Sequence, residues 1–448
     1  MEKTNLLGAT SIGLGAIIGA GIFVLSGTGI SLAGTGVLLA FVFTGILAIM
    51  VSLQVGELTS EMPEERGATY SFAYKAFGSE LGFTTGILRY VGTTTSISAI
   101  ALGFGSYFVS LFGINKIYTD PLSILLIIAL TMLNYRGIKK TAKYESFMVI
   151  FKIFVLIIFV AFAVLAGHWG SSRFSGFGIS DAYGIFAASV LAMFAYSGFQ
   201  SIANIAPNIK GGGRTAAKAI LLSTIISMVL YVAVTASLMA LAPAKEYGIA
   251  ADPLSFALHY ANAPSWLFVL VGIGALVATA TASLAMIISS SKTAYQMAED
   301  GLLPERFRRR TATGDTPTFA LVVSSLIGIV MLLLFSGNVY TIASISNFGS
   351  LFSYIMVSLV LIKIRKLRKA NTTGNLLRNF RIKINNGIKA PLYPYLPIAS
   401  LVMVVVFFDG LPSIALKGGM IILALSIIVY YSLRELENKP IIRLKLFR

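Results

Sequence analysis

The sequence predicts an all-α membrane protein of twelve transmembrane helices, and three observations carry that reading. Of 448 residues, 56% are hydrophobic and only 12% charged, about half the charged share of an ordinary soluble chain. Apolar stretches of roughly 20 residues, the length that crosses a bilayer, recur along the chain. The 35 Lys and Arg, set against 18 Asp and Glu, fall almost wholly between those stretches. A nucleic-acid surface would need a hydrated basic face, and the sequence between the charges is lipid-soluble instead. With no Cys and two His, disulfides and thiolate chemistry are excluded, and little remains for zinc or haem. No cofactor and no metal site are expected.

In chain order, Lys3 precedes a span at 6–26, and a second follows at 35–56. Arg66 and Lys75 separate these from span three, 81–111, and Lys116 separates that from span four, 121–135. Four basic residues from Arg136 to Lys143 precede span five, 145–167, and Arg173 precedes span six, 183–205. Lys210, Arg214 and Lys218 lead into span seven, 216–241, and Lys245 lies before span eight, 265–290. The basic run from Lys292 to Arg310 precedes spans nine, 318–335, and ten, 340–363. Nine basic residues from Lys363 to Lys389 precede span eleven, 395–409, and Lys417 stands at the start of span twelve, 414–432.

Alternate loops thus hold 29 of the 35 basic residues and the others hold four. The positive-inside rule places both termini in the cytoplasm of a multi-pass protein of the cell membrane. The N-terminal run lacks the small-residue cleavage site of a secretory signal and is read as span one. The whole chain, 1–448, is one membrane domain with a short cytoplasmic tail at 433–448. The lipid bilayer is its expected partner, and nucleic acid is not.

Two spans are interrupted. Span one carries Gly13, Gly15, Gly19 and Gly21, each costing about 1 kcal/mol in a helix interior relative to Ala. Gly13 and Gly15 are read as close packing, whereas Gly19-Ala20-Gly21 lets the backbone leave helical geometry and aim free N–H groups at a ligand. Span six has a polar break at Tyr196-Ser197-Gly198. Gly-interrupted segments at corresponding positions of two halves point to an inverted-repeat transporter whose site lies at the bilayer midplane. Half-helix N-termini there receive an anionic group and unwound carbonyls a cation. A zwitterion satisfies both.

On these residues the chain resembles the amino acid, polyamine and organocation (APC) superfamily of secondary transporters over nearly its whole length. The run IIGAGIF, residues 17 to 23, resembles that family's carboxylate-binding break. GELTSEMPEERGATYSFAYKAFG, residues 56 to 78, resembles its helix 2 to 3 linker, and AYQMAEDGLLPERF, residues 294 to 307, its signature after helix 8. Departures occur as well: Pro207 and Asn208 stand where the family usually has a Glu pair, Arg66 looks inserted, and Ala68 replaces a Gly. The resemblance implies a leucine-transporter-like 5+5 inverted repeat, with 6–167 as the first repeat, 183–363 as the second, and 395–432 as two added helices. It implies alternating-access transport of amino acids and no enzymatic activity. Substrate contacts are then expected from Ile18, Gly19, Ala20, Gly21 and Ile22 of span one, and from Tyr196, Ser197, Gly198 and Phe199 of span six.

Lys152 lies about eight residues into span five, where a charge costs at least ~2.5 kcal/mol. It either snorkels to the interface or faces the bundle interior, desolvated so that it can gain and lose a proton. In sodium-coupled relatives of this fold a Na⁺ sits between helices 1 and 8, and some proton-coupled members place a helix 5 lysine there. Lys152 matches that position. The resemblance therefore implies that protons are the coupling partner, with Lys152 as carrier and with Thr279, Thr281 and Ser283 nearby, of which Thr279 and Ser283 are taken into the site. Arg89 is read as snorkelling or pairing with Glu57 or Glu61, and His168 and His259 as residues of the outer loops. The cores of spans one, three, six, eight and ten contain no acid, which favours a neutral amino acid. An exchanger, or a carrier of a cationic amino acid or polyamine, is the alternative.

Overall fold

The computed structural model describes residues 4–65, 69–136, 141–174, 182–248, 252–311, 316–335, 338–370 and 387–436. Each expected span coincides with helix. The order is α1 (Leu6–Ile17), α2 (Ala20–Val24), α3 (Ser26–Ala33), α4 (Val37–Glu61), α5 (Thr69–Phe77), α6 (Ser79–Phe112), α7 (Thr119–Tyr135), α8 (Thr141–Ala166), α9 (Ser171–Phe174), α10 (Ala182–Tyr196), α11 (Ser201–Asn204), α12 (Gly212–Leu241), α13 (Pro253–Tyr260), α14 (Ser265–Glu299), α15 (Thr318–Leu334), α16 (Val339–Ala370), α17 (Tyr395–Asp409) and α18 (Ser413–Leu436). Among the described residues ten helical stretches are long and apolar enough to cross a membrane. Two shorter apolar helices, α15 and α17, fall where spans nine and eleven are expected.

Local chemistry sets several boundaries. Pro264, Pro317 and Pro394 stand at the starts of α14, α15 and α17, where a residue without an N–H removes no helical bond. Gly113 closes α6 in the left-handed conformation, φ 63°, which side chains other than glycine rarely adopt.

The broken helices are central and others are peripheral. Of the most apolar windows, 76% is buried for α1–α2 and 78% for α10–α11, against 17% around α7 and 22% for α18. The long helix α6 packs against both α14 and α16, while α4 packs against α12 and α10, and α1 against α12 and α8. The site therefore lies where α1–α2, α6, α10 and α14 converge.

The basic end of the bundle, where α1 begins and α4 and α16 finish, is tied together by charge. Glu57 of α4 receives a two-pronged contact from Arg365 of α16, Nε to Oε1 at 2.8 Å and Nη2 to Oε2 at 2.5 Å. The amide of Ala390 also donates to Glu57 at 2.6 Å, and Arg365 donates to the Ala390 carbonyl at 2.8 Å. Arg368 reaches Glu61 at 2.7 Å. These pairs overturn the expectation that Glu57 or Glu61 serves Arg89, for both acids are taken by the last turns of α16. Just below α1, Thr4 forms a main-chain bridge with the strip after α11: its N–H donates to the Asn208 carbonyl at 3.0 Å and its carbonyl accepts from Lys210 at 2.8 Å.

Two short helices, α5 and α13, fall in segments read from sequence as linkers. His259 accordingly lies on α13, its ring 4.3 Å from that of Phe268. Arg66, Ala68, Lys139 and Lys140, with the chain from 437 onward, lie outside the described residues.

Candidate functional site

The interruption of span one falls at Ile18 and Gly19, one residue earlier than Gly19-Ala20-Gly21 suggests, and the hydrogen bonds show how it is built. The N–H of Gly19 turns to the Ile17 carbonyl at 2.9 Å instead of reaching back to Gly15. The carbonyls of Gly15 and Ile18 lose their helical donors, and both accept from the Lys152 ammonium, at 3.0 Å and 2.8 Å. Tyr231 of α12 donates to the Ile17 carbonyl at 2.6 Å and contacts that of Ala195 at 3.2 Å. One tyrosine thus spans both broken helices. Tyr107 of α6 donates in turn to the Phe23 carbonyl at 2.5 Å, at the junction of α2 with α3. Unsatisfied carbonyls away from water are costly, and side chains of α6, α8 and α12 meet that cost here.

Lys152 is fully buried. Besides the two carbonyls, its ammonium lies 3.2 Å from Oγ1 of Thr281 on α14. It therefore faces the bundle interior, and the snorkelling alternative is excluded by its placement. Thr281, rather than the expected Thr279 and Ser283, supplies the contact. Thr279 bonds the Ala275 and Leu276 carbonyls of its own helix, as membrane hydroxyls often do. The Ser283 hydroxyl is buried with no hydrogen-bond partner. Thr279 and Ser283 share one face of α14, and Thr281 lies on the other.

Span six is tightened rather than opened. The α10 helix ends at Tyr196, Ser197–Gln200 form a 3₁₀ turn, and α11 resumes at Ser201. This tightening lets the two broken helices meet at main-chain distance. A Cβ at Gly198 would stand 2.3 Å from the Ala16 carbonyl oxygen, and one at Gly21 would stand 2.2 Å from Cα of Ala195. A Cβ at Gly13 would likewise meet Ile202, and one at Gly15 would meet Val149, in line with their reading as packing glycines.

Beside this crossing lies a narrow, partly open cavity enclosing about 260 Å³ of space with its mouth included. Of the expected contacts, Gly19, Gly21 and Ser197 line it. Ile18 and Ile22 are buried in the core, and Ala20 begins α2. Two expectations are corrected. Tyr196 turns to the Phe41 carbonyl at 3.2 Å and packs on Tyr231, and Phe199 stacks on Tyr354 with ring centroids 5.9 Å apart. Neither is on the cavity lining: Tyr196, still in the regular helix, lies on the α4–α12 side of α10, and Phe199, within the 3₁₀ turn, is directed to α16. Phe194, Ile100, Ala282 and Met286 supply its apolar walls, and Ser96, bonded to Ser346 at 2.7 Å, its second hydroxyl. No acid is on this lining. Among the described residues no group of His, Asp and Glu could hold a metal ion.

Outside the membrane spans, Asp252 at the start of α13 is shifted above the ordinary aspartate range. Burial causes this, partly opposed by a hydrogen bond with Ser110 and by Lys116.

The arrangement offers backbone N–H groups at the start of α2, where no helical partner precedes them. It adds a small, mostly apolar chamber and a buried cation behind it. Comparisons with known proteins agree with a small-solute carrier. The profile of a family described as amino acid permease matches residues 5–432. The branched-chain amino acid permease BcaP of Bacillus subtilis is 27% identical over 459 residues, covering 96% of this chain and 92% of that protein. The methylthioribose transporter of the same organism is 26% identical, covering 94% and 91%. A crystal structure of a mutant manganese transporter from Eremococcus coleocola superposes with a TM-score of 0.54 at 16% identity, covering 95% of this chain and 93% of that one. This last similarity concerns the fold alone.

Proposed function

Since this chain belongs to the amino acid permease family, we propose that it carries a neutral amino acid across the cell membrane together with a proton, by alternating access. The single observation behind this reading is Lys152, a fully buried ammonium seated between the carbonyls of Gly15 and Ile18 and the hydroxyl of Thr281. On this reading the basic end of the bundle faces the cytoplasm, in keeping with the positive-inside rule. On this reading α15 and α17 complete twelve spans, and α1 to α8 and α10 to α16 form the two inverted repeats.

The substrate carboxylate takes the N–H groups at the start of α2, from Ala20 to Ile22, and the hydroxyl of Ser197 borders it. The ammonium lies toward the carbonyls freed at the same break. The apolar walls Ile100, Phe194, Ala282 and Met286 match an aliphatic side chain in character, and a cationic one would find no acid there. The branched-chain permease among the relatives is consistent with that choice. A protonated Lys152 has three N–H donors for the carbonyls and Thr281, and a neutral amine has two and no charge. Loss of the proton therefore loosens the grip on α1, and regaining it restores the grip. Binding and release of a proton are thereby linked to the position of the half-helix that flanks the substrate.

The test is uptake by purified protein in sealed vesicles, with each of the twenty standard amino acids in turn. Symport requires accumulation driven by an inward proton gradient with no amino acid inside. Uptake that appears only when the vesicles are preloaded, and is indifferent to the gradient, would establish exchange instead.

A further inference from the structure

Arg89 is the one basic residue of α6 and lies in the part of that helix nearest the basic end of the bundle. Its place is odd for a charge that merely marks topology. Residues 89, 96 and 100 stand at i, i+7 and i+11, so they share one face of the helix, and Ser96 and Ile100 are both on the cavity lining. Arg89 therefore continues the same stripe two turns, about 10 Å, beyond the cavity toward the basic end. It is neither sealed in nor fully exposed. Among the described residues no acid pairs with it, since Glu57 and Glu61 are occupied by Arg365 and Arg368.

The helices α6 and α16 approach at main-chain distance at Leu88 and Gly349, where a Cβ on Gly349 would stand 2.3 Å from the Leu88 carbonyl oxygen, and this brings Tyr354 of α16 close enough for its phenol to act on the Arg89 charge. Tyr354 is fully buried, and its hydroxyl has no hydrogen-bond partner. Its ring stacks on Phe199, two residues past Ser197 of the cavity lining. A guanidinium without a carboxylate and a buried hydroxyl without a partner, side by side below a substrate chamber, are matched by one kind of ligand. Both are donors, an arginine binds a carboxylate with two parallel hydrogen bonds, and a buried hydroxyl left unpaired is costly.

We propose that Arg89 and Tyr354 form a second, inner station for the carboxylate of the amino acid, occupied as it leaves for the cytoplasm. This rests on the transport reading above. The carboxylate moves from the N–H groups at the start of α2 to the guanidinium, passing the Phe199–Tyr354 stack, without being left unpaired in between. The same cation raises the cost of passage for a substrate with net positive charge.

The experiment measures L-leucine transport from both sides in vesicles of known orientation, after the twenty-amino-acid screen has established that the unaltered protein carries it. If the screen finds no amino acid transported, the transport reading itself fails, which is a different result from failure of the station. Arg89→Gln is expected to raise the KM for internal L-leucine in efflux about tenfold and to leave the external KM for uptake unchanged. Arg89→Lys should restore most of the internal affinity, because the charge remains. Tyr354→Phe keeps the ring stack on Phe199, removes only the hydroxyl, and should raise the internal KM about threefold. A purely structural role would lower the amount of active protein and shift neither KM. An internal KM that stays at the value of the unaltered protein in Arg89→Gln and Tyr354→Phe, or equal fold shifts on both sides, would overturn the inner station.

Discussion

The ammonium of Lys152 donates to the carbonyl oxygen of Ile18 at 2.8 Å, so the residue that ends α1 is held by a charge carried on α8. The first prediction tests this contact. Lys152→Ala leaves the Gly15 and Ile18 carbonyls without that donor, at about 1–3 kcal/mol each. Uptake driven by an acid gradient should fall at least about tenfold, and what remains should be flat from about pH 5.5 to about pH 8, the window in which a desolvated lysine can titrate. A pH profile of initial rates in reconstituted vesicles decides the matter.

Sodium should be irrelevant. The space between the α1 break and α14 that a monovalent cation would use already contains the Lys152 ammonium and Thr281. Replacing all external sodium by choline is expected to leave initial uptake rates unchanged within error, and a rate that rises with sodium concentration would contradict the assignment.

The crossing of the broken helices has no space for one more carbon. Gly198→Ala would place its Cβ 2.3 Å from the Ala16 carbonyl oxygen, and overpacking of this kind costs roughly 1–3 kcal/mol or more. A Cβ at Gly418 meets nothing within 4 Å, so Gly418→Ala is the matched control. Thermal melting followed by size-exclusion chromatography in detergent should show a clear drop for the first variant and none for the second.

Removing one member of the buried pair at the basic end should destabilise more than removing both. Glu57 is fully buried while the Arg365 side chain keeps 15% of its exposure, and breaking a buried pair leaves a charge without compensation, at up to about 3 kcal/mol, less where solvent screens one partner. Glu57→Ala should therefore melt well below the unaltered protein, whereas Glu57→Gln with Arg365→Met should recover much of the loss. A double-mutant cycle on melting temperature measures the coupling.

Asp252 gives a pH-dependent contribution whose sign follows from its burial. Its folded-state pKa lies above the ordinary 3.8, so the folded protein holds this proton more tightly than the unfolded chain does. The contribution is fully present below 3.8 and is lost as pH rises through the raised value. Relative to Asp252→Asn, the unaltered protein should thus lose stability as pH rises from 3.8 toward neutrality. A melting-temperature difference that does not vary with pH would refute the burial of this carboxyl.

The helices were legible because membrane spans announce themselves through some 20 apolar residues, and their ends through charge and proline. The break in span one was legible to within a residue, since Gly19 and Gly21, two apart, free the backbone from helical geometry, while Gly13 and Gly15 read as packing positions. What the glycines could not show was the division of labour, with Ile18 and Gly19 making the bend and Gly21 and Gly198 making room for Ala195 and Ala16. Side-chain direction was lost wherever the period changed. The 3₁₀ turn at Ser197–Gln200 carries Phe199 off the cavity, Tyr196 faces α4 and α12 from the last turn of α10, and the aromatic wall is Phe194, which looks like any other apolar residue of α10. The choice of Thr281 over Thr279 and Ser283 depends on how α14 is rotated against α8, which no local pattern encodes. Glu57 and Arg365 are 308 residues apart, so nothing in either segment points to the other. The short helices α5 and α13 escaped notice because neither is long enough to show a periodicity.

The bridge between Thr4 and the segment around Asn208 consists of main-chain atoms on both sides. Such a fastening is indifferent to side-chain identity, so substitutions can accumulate at positions 4, 207 and 208 while the fastening persists. An alanine scan would pass over it, and a comparison of conserved columns would leave it blank. Only proline at Thr4 or Lys210, which deletes a donated N–H, would open it. The acidic pair absent at Pro207 and Asn208 need not have been replaced by any other side chain for the two half-helices to stay joined.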